Sequence, residues 1–207
     1  MVYVNMDTWP RKKHFEHFYK MDYPHFNISM NIEISNFLKF VKENHISFYY
    51  SMCFACTAVL NQIENFRYRI HDGKVIIYDR VHPSFTDIDK NSDLFKIVTL
   101  NMTDDIVEFS SNAKYKSLKQ KGLFENDNDE REDLIYYTCT PWFSFTQLTH
   151  PIELKKEDSI PRVSWGKYYS DNGKVLLPFS VQANHALVDG CHVGMFVDKL
   201  NKYMNSL

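Results

Sequence analysis

Apolar positions recur along this chain with two periods, and the two alternate. A helical period marks Trp9 to Tyr19, with Pro10 in the first turn, and Ser35 to Asn44, where Phe37, Leu38 and Val41 share a stripe behind Ser35 as N-cap. A longer helical stretch runs from Phe48 to Phe66 and carries Met52, Ala55, Cys56, Val59, Leu60 and Ile63. Thr103 to Lys119 reads as a helix capped by Thr103, with Ile106, Val107, Tyr115 and Leu118 facing inward. Cys191 to Asn205 closes the chain with a stripe of Val193, Phe196, Val197, Leu200 and Met204. Strand patterns fall between these helices: Phe26–Ile34, Phe95–Leu100, Ile135–Cys139, Trp142–Leu148, Val163–Tyr169 and Val175–Ala183. Asp72-Gly73 predicts a tight hairpin joining Arg67–Ile70 to Val75–Tyr78, and Asn172-Gly173 predicts another before the last strand. The pattern is α+β, a mixed or antiparallel sheet with helices packed on it. No repeat and no linker-like stretch divides residues 1–207, which read as one domain.

Composition narrows the function classes. Of the 207 residues, 44% are hydrophobic, 24% charged and 15% aromatic, which suits a packed domain rather than a disordered chain. The formal net charge of −2 gives no basic excess for a nucleic-acid partner. No apolar run reaches the ~20 residues that span a bilayer, and the first residues show no signal-peptide pattern. A reducing cytoplasm is therefore the expected location, with Cys53, Cys56, Cys139 and Cys191 as free thiols. Cys53 and Cys56 have CxxC spacing but lie in an apolar helical stretch without a second pair. His14 and His17 share a helix without a third ligand. No metal site is expected from either. The Glu125–Asp133 run is very acidic and reads as a solvated loop.

The chemistry is concentrated in Gln182-Ala-Asn-His185-Ala-Leu-Val-Asp189-Gly190, a strand-to-helix connection. Such loops present side chains into clefts. An imidazole titrating near neutrality can take the proton of an attacking hydroxyl and return one to a leaving group. Asp189 can anchor the loop, and Gly190 permits a close approach. On spacing alone, a histidine four residues before an aspartate is more often a structural pair.

His185-Ala-Leu-Val-Asp189-Gly190 resembles the His-His-Ala-x-x-Asp-Gly signature of the chloramphenicol acetyltransferase family. Trp9-Pro-Arg-Lys-Lys-His-Phe-Glu-His-Phe18, Phe85-Thr86, Pro141-Trp142, Gly166-Lys167-Tyr168 and Leu177 to Gln182 fall in similar order and spacing. The resemblance implies the CoA-dependent acyltransferase fold and a homotrimer with active sites at subunit interfaces. It implies acetyl-CoA as co-substrate and direct transfer to a hydroxyl of chloramphenicol or a similar small acceptor, without an acyl-enzyme. His185 would be the general base, and Asp189 would pair with Arg11 to hold the loop. Ser164 would assist the transition state through water. Phe18, Pro24, Phe26, Thr86 and Phe95 would line the acceptor pocket, and Tyr168 would contact the CoA arm.

The resemblance departs at four positions. Asn184 replaces the first histidine of the signature. Gln147 stands where the family has an oxyanion-binding serine, so the Gln147 amide and the Thr146 hydroxyl become the candidate donors. Ser47 stands for a lysine near the CoA phosphate, and Phe18 for a tyrosine. A non-catalytic trimeric binding protein on the same scaffold is the alternative that the Gln147 substitution motivates. The related acyltransferase core of 2-oxo-acid dehydrogenase complexes fits less well, since the chain shows neither lipoyl domains nor long linkers.

Overall fold

The computed structural model describes residues 1–89, 92–125, 131–154 and 157–207. Residues 126–130 of the acidic run lie outside the described residues.

The helical elements are α1 (Lys12–Phe18), α2 (Ser35–Glu43), α3 (Phe48–Leu60), α4 (Ile106–Lys119) and α5 (Gly190–Asn205). The strands are β1 (Val2–Tyr3), β2 (His25–Glu33), β3 (Tyr68–His71), β4 (Lys74–Ile77), β5 (His82–Ile88), β6 (Phe95–Thr99), β7 (Leu134–Thr140), β8 (Arg162–Gly166), β9 (Tyr169–Asp171) and β10 (Lys174–Asn184). A mixed sheet runs β2-β10-β8-β7-β5-β6, with β9 paired to β10, and a small antiparallel sheet runs β1-β4-β3. β7 lies parallel to both β5 and β8; the other pairs are antiparallel.

α3 is apolar on nearly every side and is accordingly central, packed between α4, α5 and the large sheet. The sheet face toward the helices is apolar: Leu177, Phe179, Val181 and Ala183 of β10 join Val163, Trp165, Ile135, Tyr137, Phe85 and Val98 in one core cluster. The opposite face is polar. Because successive strand residues point to opposite sides, pairing register aligns Asn27, Gln182, Arg162, Tyr136, Ser84 and Thr99 in one row across six strands. A second row joins Ser29, Ser180, Ser164 and Thr138. Ser84, Ser164, Ser180 and Gln182 are buried and the other members half-buried, so the interior part of these rows must be hydrogen-bonded.

Several elements differ from the sequence pattern. Phe48–Phe66 is not one helix: α3 stops at Leu60, where the Asn61 amide bonds the Thr57 carbonyl and both main-chain groups of Val81, and Glu64–Arg67 form a 3-10 turn. Trp142–Leu148 is not a strand. β8 and β10 are already paired on both sides, so no free edge is available there, and the segment is held by Ser144 and Phe143 contacts to Lys167 instead. A Cβ on Gly166 would come within 2.9 Å of the Phe143 carbonyl oxygen, so glycine permits this close approach. Val163–Tyr169 divides into β8 and β9. β5 carried no strand signal because Pro83 interrupts the pattern; its missing N–H is tolerated and its carbonyl accepts from Leu100 N. Asp105, not Thr103, caps α4, its carboxylate accepting from Glu108 N at 2.7 Å. Ser35 does not cap α2 but accepts from Val175 N, tying the start of β10. Both predicted hairpin turns are present, with positive φ at Asp72 and Gly73 and at Asn172 and Gly173.

Candidate functional site

The loop between β10 and α5 is built from its backbone outward. Asn184 ends β10 and its carbonyl accepts from Leu187 N and Val188 N, turning the chain at once. The Asn184 side chain accepts from Ala186 N at 3.0 Å and donates to the Asp158 carbonyl at 3.0 Å. Asn65 donates to the Leu187 carbonyl at 2.8 Å. Arg11, just before α1, closes the loop from the other side. Its Nε donates to the Ala186 carbonyl at 2.9 Å and its Nη2 to the His185 carbonyl at 2.8 Å. The same guanidinium grips the Asp189 carboxylate in a fork, one arm at 2.8 Å to Oδ1 and the other to Oδ2. Bidentate, charge-assisted contacts of this kind fix orientation as well as adding energy. The hydrogen bond from Arg11, with burial opposing it, holds the Asp189 carboxyl below the usual carboxylate range.

The His185 ring is stacked on Phe18, centroids 4.0 Å apart and planes 6° from parallel, and is flanked by Phe26 at 4.7 Å. Its backbone N–H donates to the Pro24 carbonyl at 2.6 Å. Phe18, Pro24 and Phe26 therefore do surround this imidazole. Nδ1 lies 2.9 Å from Asp189 Oδ1, but off the axis of a hydrogen bond, so the contact is electrostatic proximity rather than an aligned bond. The side chain is 34% exposed, which leaves the ring accessible. Asp189 also begins α5, where its N–H donates to His192 Nδ1 at 2.9 Å.

Thr86 and Phe95 are elsewhere. They line a cavity of about 370 Å³ on the polar sheet face, with Ser84, Thr138, His150 and Arg162 among the other walls. Three strand spacings, about 14 Å, separate β10 from β5. The expected acceptor-pocket residues thus form two groups within one chain. Ser164 is buried, its hydroxyl hydrogen-bonded to His150 Nε2 beside that cavity. Thr146 and Gln147 are exposed and line a third hollow with Ser29, Met30, Asn31 and Tyr169. Tyr168 is 40% exposed and meets Phe48 edge-on at 5.8 Å, next to Ser47, which caps α3.

Three polar residues of this region were not singled out by sequence. Arg162 is bound through both arms to Asp158 at 3.1 and 2.8 Å. His150 is fixed through its backbone N–H to Gln182 at 2.8 Å, and burial, then the Arg162 charge, push its imidazole below its ordinary value. His25 is 8% exposed with neither ring nitrogen hydrogen-bonded, and burial lowers it despite Asp158. No motif spacing signals them, since strand pairing brings them together.

All four cysteines are free; burial pushes Cys139 up to about 12 and Cys53 and Cys56 well above their ordinary value. Among the described residues, Asp189, Cys191 and His192 could present three metal-ligand atoms within 4.8 Å, but Asp189 is committed to Arg11 and His192 Nδ1 to the helix start. No helix among the described residues is long and apolar enough to cross a membrane.

Residues 1–201 match a family model described as chloramphenicol acetyltransferase. The chain is 29% identical to a chloramphenicol acetyltransferase of Klebsiella sp, covering 97% of this chain and 92% of that protein. It is 27% identical to one of Clostridium perfringens over the whole of both chains. A solved chloramphenicol acetyltransferase superposes with a TM-score of 0.89 at 24% identity, covering 97% and 98% of the two chains. The dihydrolipoamide acetyltransferase of Azotobacter vinelandii shares the fold more distantly, with a TM-score of 0.68 at 15% identity over 93% and 85%.

Proposed function

Given that this chain belongs to the chloramphenicol acetyltransferase family, we propose that it transfers the acetyl group of acetyl-CoA to a hydroxyl of chloramphenicol or a similar small acceptor. The observation that carries this reading is the Arg11-locked loop, which presents an accessible His185 imidazole between two aromatic rings.

In the proposed reaction His185 accepts the acceptor's hydroxyl proton as the oxygen attacks the thioester carbonyl. The tetrahedral intermediate then collapses, the carbon–sulfur bond breaks, and the imidazolium returns the proton to the thiolate. The products are an acetyl ester and free CoA thiol. Asp189 acts as a positioning residue through Arg11. The Gln147 amide or the Thr146 hydroxyl donates to the oxyanion, a task worth about 3–4 kcal/mol where the donor is preorganised. Ser164 assists through water, and Tyr168 contacts the CoA arm.

The expected acceptor-pocket residues Thr86 and Phe95 line a cavity that shares no residue with the His185 surroundings, which supports a homotrimer in which one protomer's base serves its neighbour's acceptor pocket. The four free thiols suit a cytoplasmic location. The non-catalytic alternative is not favoured, because the whole Arg11–Asp189–His185 arrangement is present.

The test is CoA-thiol release from acetyl-CoA with chloramphenicol as acceptor. His185→Ala should lower the rate by a factor of roughly 10²–10⁴. Acetyl-CoA binding with no turnover on any acceptor would reinstate the binding-protein reading.

A further inference from the structure

The β5–β8 cavity has a chemical character of its own. One wall is apolar: Phe95, Phe124, Ile97 and Pro151. The floor is the polar face of the sheet, where Thr99 donates to Ser84 at 3.0 Å and Thr86 to Thr138 at 3.5 Å. Arg162 and His150 form the remaining side, and no carboxylate is among the described lining residues.

That side keeps hydrogen-bonding capacity that a ligand could take from water. A guanidinium has five N–H groups. Arg162 spends two on the Asp158 carboxylate and one on the Ile160 carbonyl, at 3.0 Å. Two remain. His150 spends Nε2 on Ser164, so Nδ1 is the ring atom left over. Its role depends on the tautomer: donor if Ser164 donates to Nε2, acceptor if Ser164 accepts. A hydroxyl satisfies either case, because it both donates and accepts.

The charges of the described lining residues, by contrast, balance. Asp158 cancels Arg162 at hydrogen-bond distance, and both side chains are about nine-tenths buried. Burial and the Arg162 charge hold the His150 imidazole below its ordinary value, which favours the uncharged ring. The cavity therefore offers directional donors without a net charge to attract an ion.

We infer that Arg162 and His150 determine acceptor specificity, and that the acceptor is neutral and oxygen-rich at the end they meet, in the manner of an aryl glycoside. This rests on the acetyl-transfer reading for its reaction, though not for binding. A site built to hydrogen-bond a substrate's oxygens rejects an analogue that lacks them more strongly than an apolar pocket rejects an added methylene.

Three probes separate the possibilities: phenyl β-glucoside, phenyl β-glucuronide, and 4-phenylbutanol. CoA-thiol release gives kcat/KM for each, and calorimetry gives binding without acetyl-CoA. The glucoside should exceed both others at least tenfold in kcat/KM and in affinity. His150→Leu, and separately the charge-neutral pair Asp158→Asn with Arg162→Met, should remove that preference in the calorimetric affinities, the glucoside-to-phenylbutanol ratio falling at least tenfold. A cooperative thermal melt close to that of the wild type shows that these variants fold. Thiol release favouring phenylbutanol, or a preference unchanged in both variants, would overturn the assignment. A preference for the glucuronide would overturn neutrality. Glucoside binding that depends on Arg162 and His150, with no thiol release from any probe or from chloramphenicol, would uphold the pocket assignment and overturn the transferase reading.

Discussion

Arg11 makes four contacts to a loop 174 to 178 residues away, using all three nitrogens of its fork. Lysine keeps the charge but has a single point of donation, so it cannot hold two carbonyls and a carboxylate together. Arg11→Lys should therefore lower stability by about 1–3 kcal/mol in urea denaturation, on the cost of unmet buried hydrogen bonds. If the loop's shape serves the base, kcat should fall further than that loss explains at temperatures where the variant stays folded. The same pair sets an acid limit. The Asp189 carboxyl is depressed in the folded chain, chiefly by the Arg11 hydrogen bond. Its contribution is fully present above the unfolded carboxylate value of about 3.9 and is lost as pH falls through the lower folded value. Denaturation free energies measured from pH 7 to pH 3 should drop for this reason, and Asp189→Asn should be less stable at pH 7 with a shallower drop. An equal slope in both proteins would assign the acid sensitivity to other carboxylates.

At the scale of elements, α4 shows what hydrophobic periodicity reads and what it overlooks. The face it buries carries Ile106, Phe109, Ser110, Ala113 and Ser117, while Val107, Tyr115 and Leu118 are 42%, 61% and 64% exposed. Two serines occupy the inward stripe because each has a partner there. Ser110 accepts from Ser47 N, and Ser117 donates to Asp87. A pattern of apolar letters has no means of registering a buried hydroxyl satisfied by another element. Phe109→Ala should cost about 3–5 kcal/mol by opening a core cavity, whereas Leu118→Glu should stay within about 0.5 kcal/mol; urea denaturation of the two variants distinguishes them. β10 was legible for the opposite reason. Its start follows a hairpin that sequence specifies, and Pro178 falls between the stretches paired to β9 and β8, where one missing N–H costs no ladder bond on that side.

At the scale of the molecule, the proposed trimer makes a prediction no single chain can. Light scattering should give about three times the 24.6 kDa chain mass. Co-expressing His185→Ala with Thr86→Trp, which fills the cavity, should restore about a quarter of wild-type activity. That is the fraction of interfaces that pair an intact base with an intact pocket under random cyclic assembly. Two inactive proteins remaining inactive as a mixed trimer would mean that base and pocket belong to one protomer.

Sequence by itself determined the α+β alternation, both hairpins and the loop that carries His185, because each is fixed by neighbours a few residues apart: a periodic stripe, an Asp-Gly or Asn-Gly pair, a strand running into a helix. It could also place Arg11 beside Asp189, but only through family resemblance, since no local rule links the two. Tertiary structure alone decided the polar rows and the cavity they floor. Those rows draw on strands whose order in the sheet differs from their order in the chain, and a buried serine, histidine or arginine becomes tolerable only once its partner arrives from a neighbouring strand.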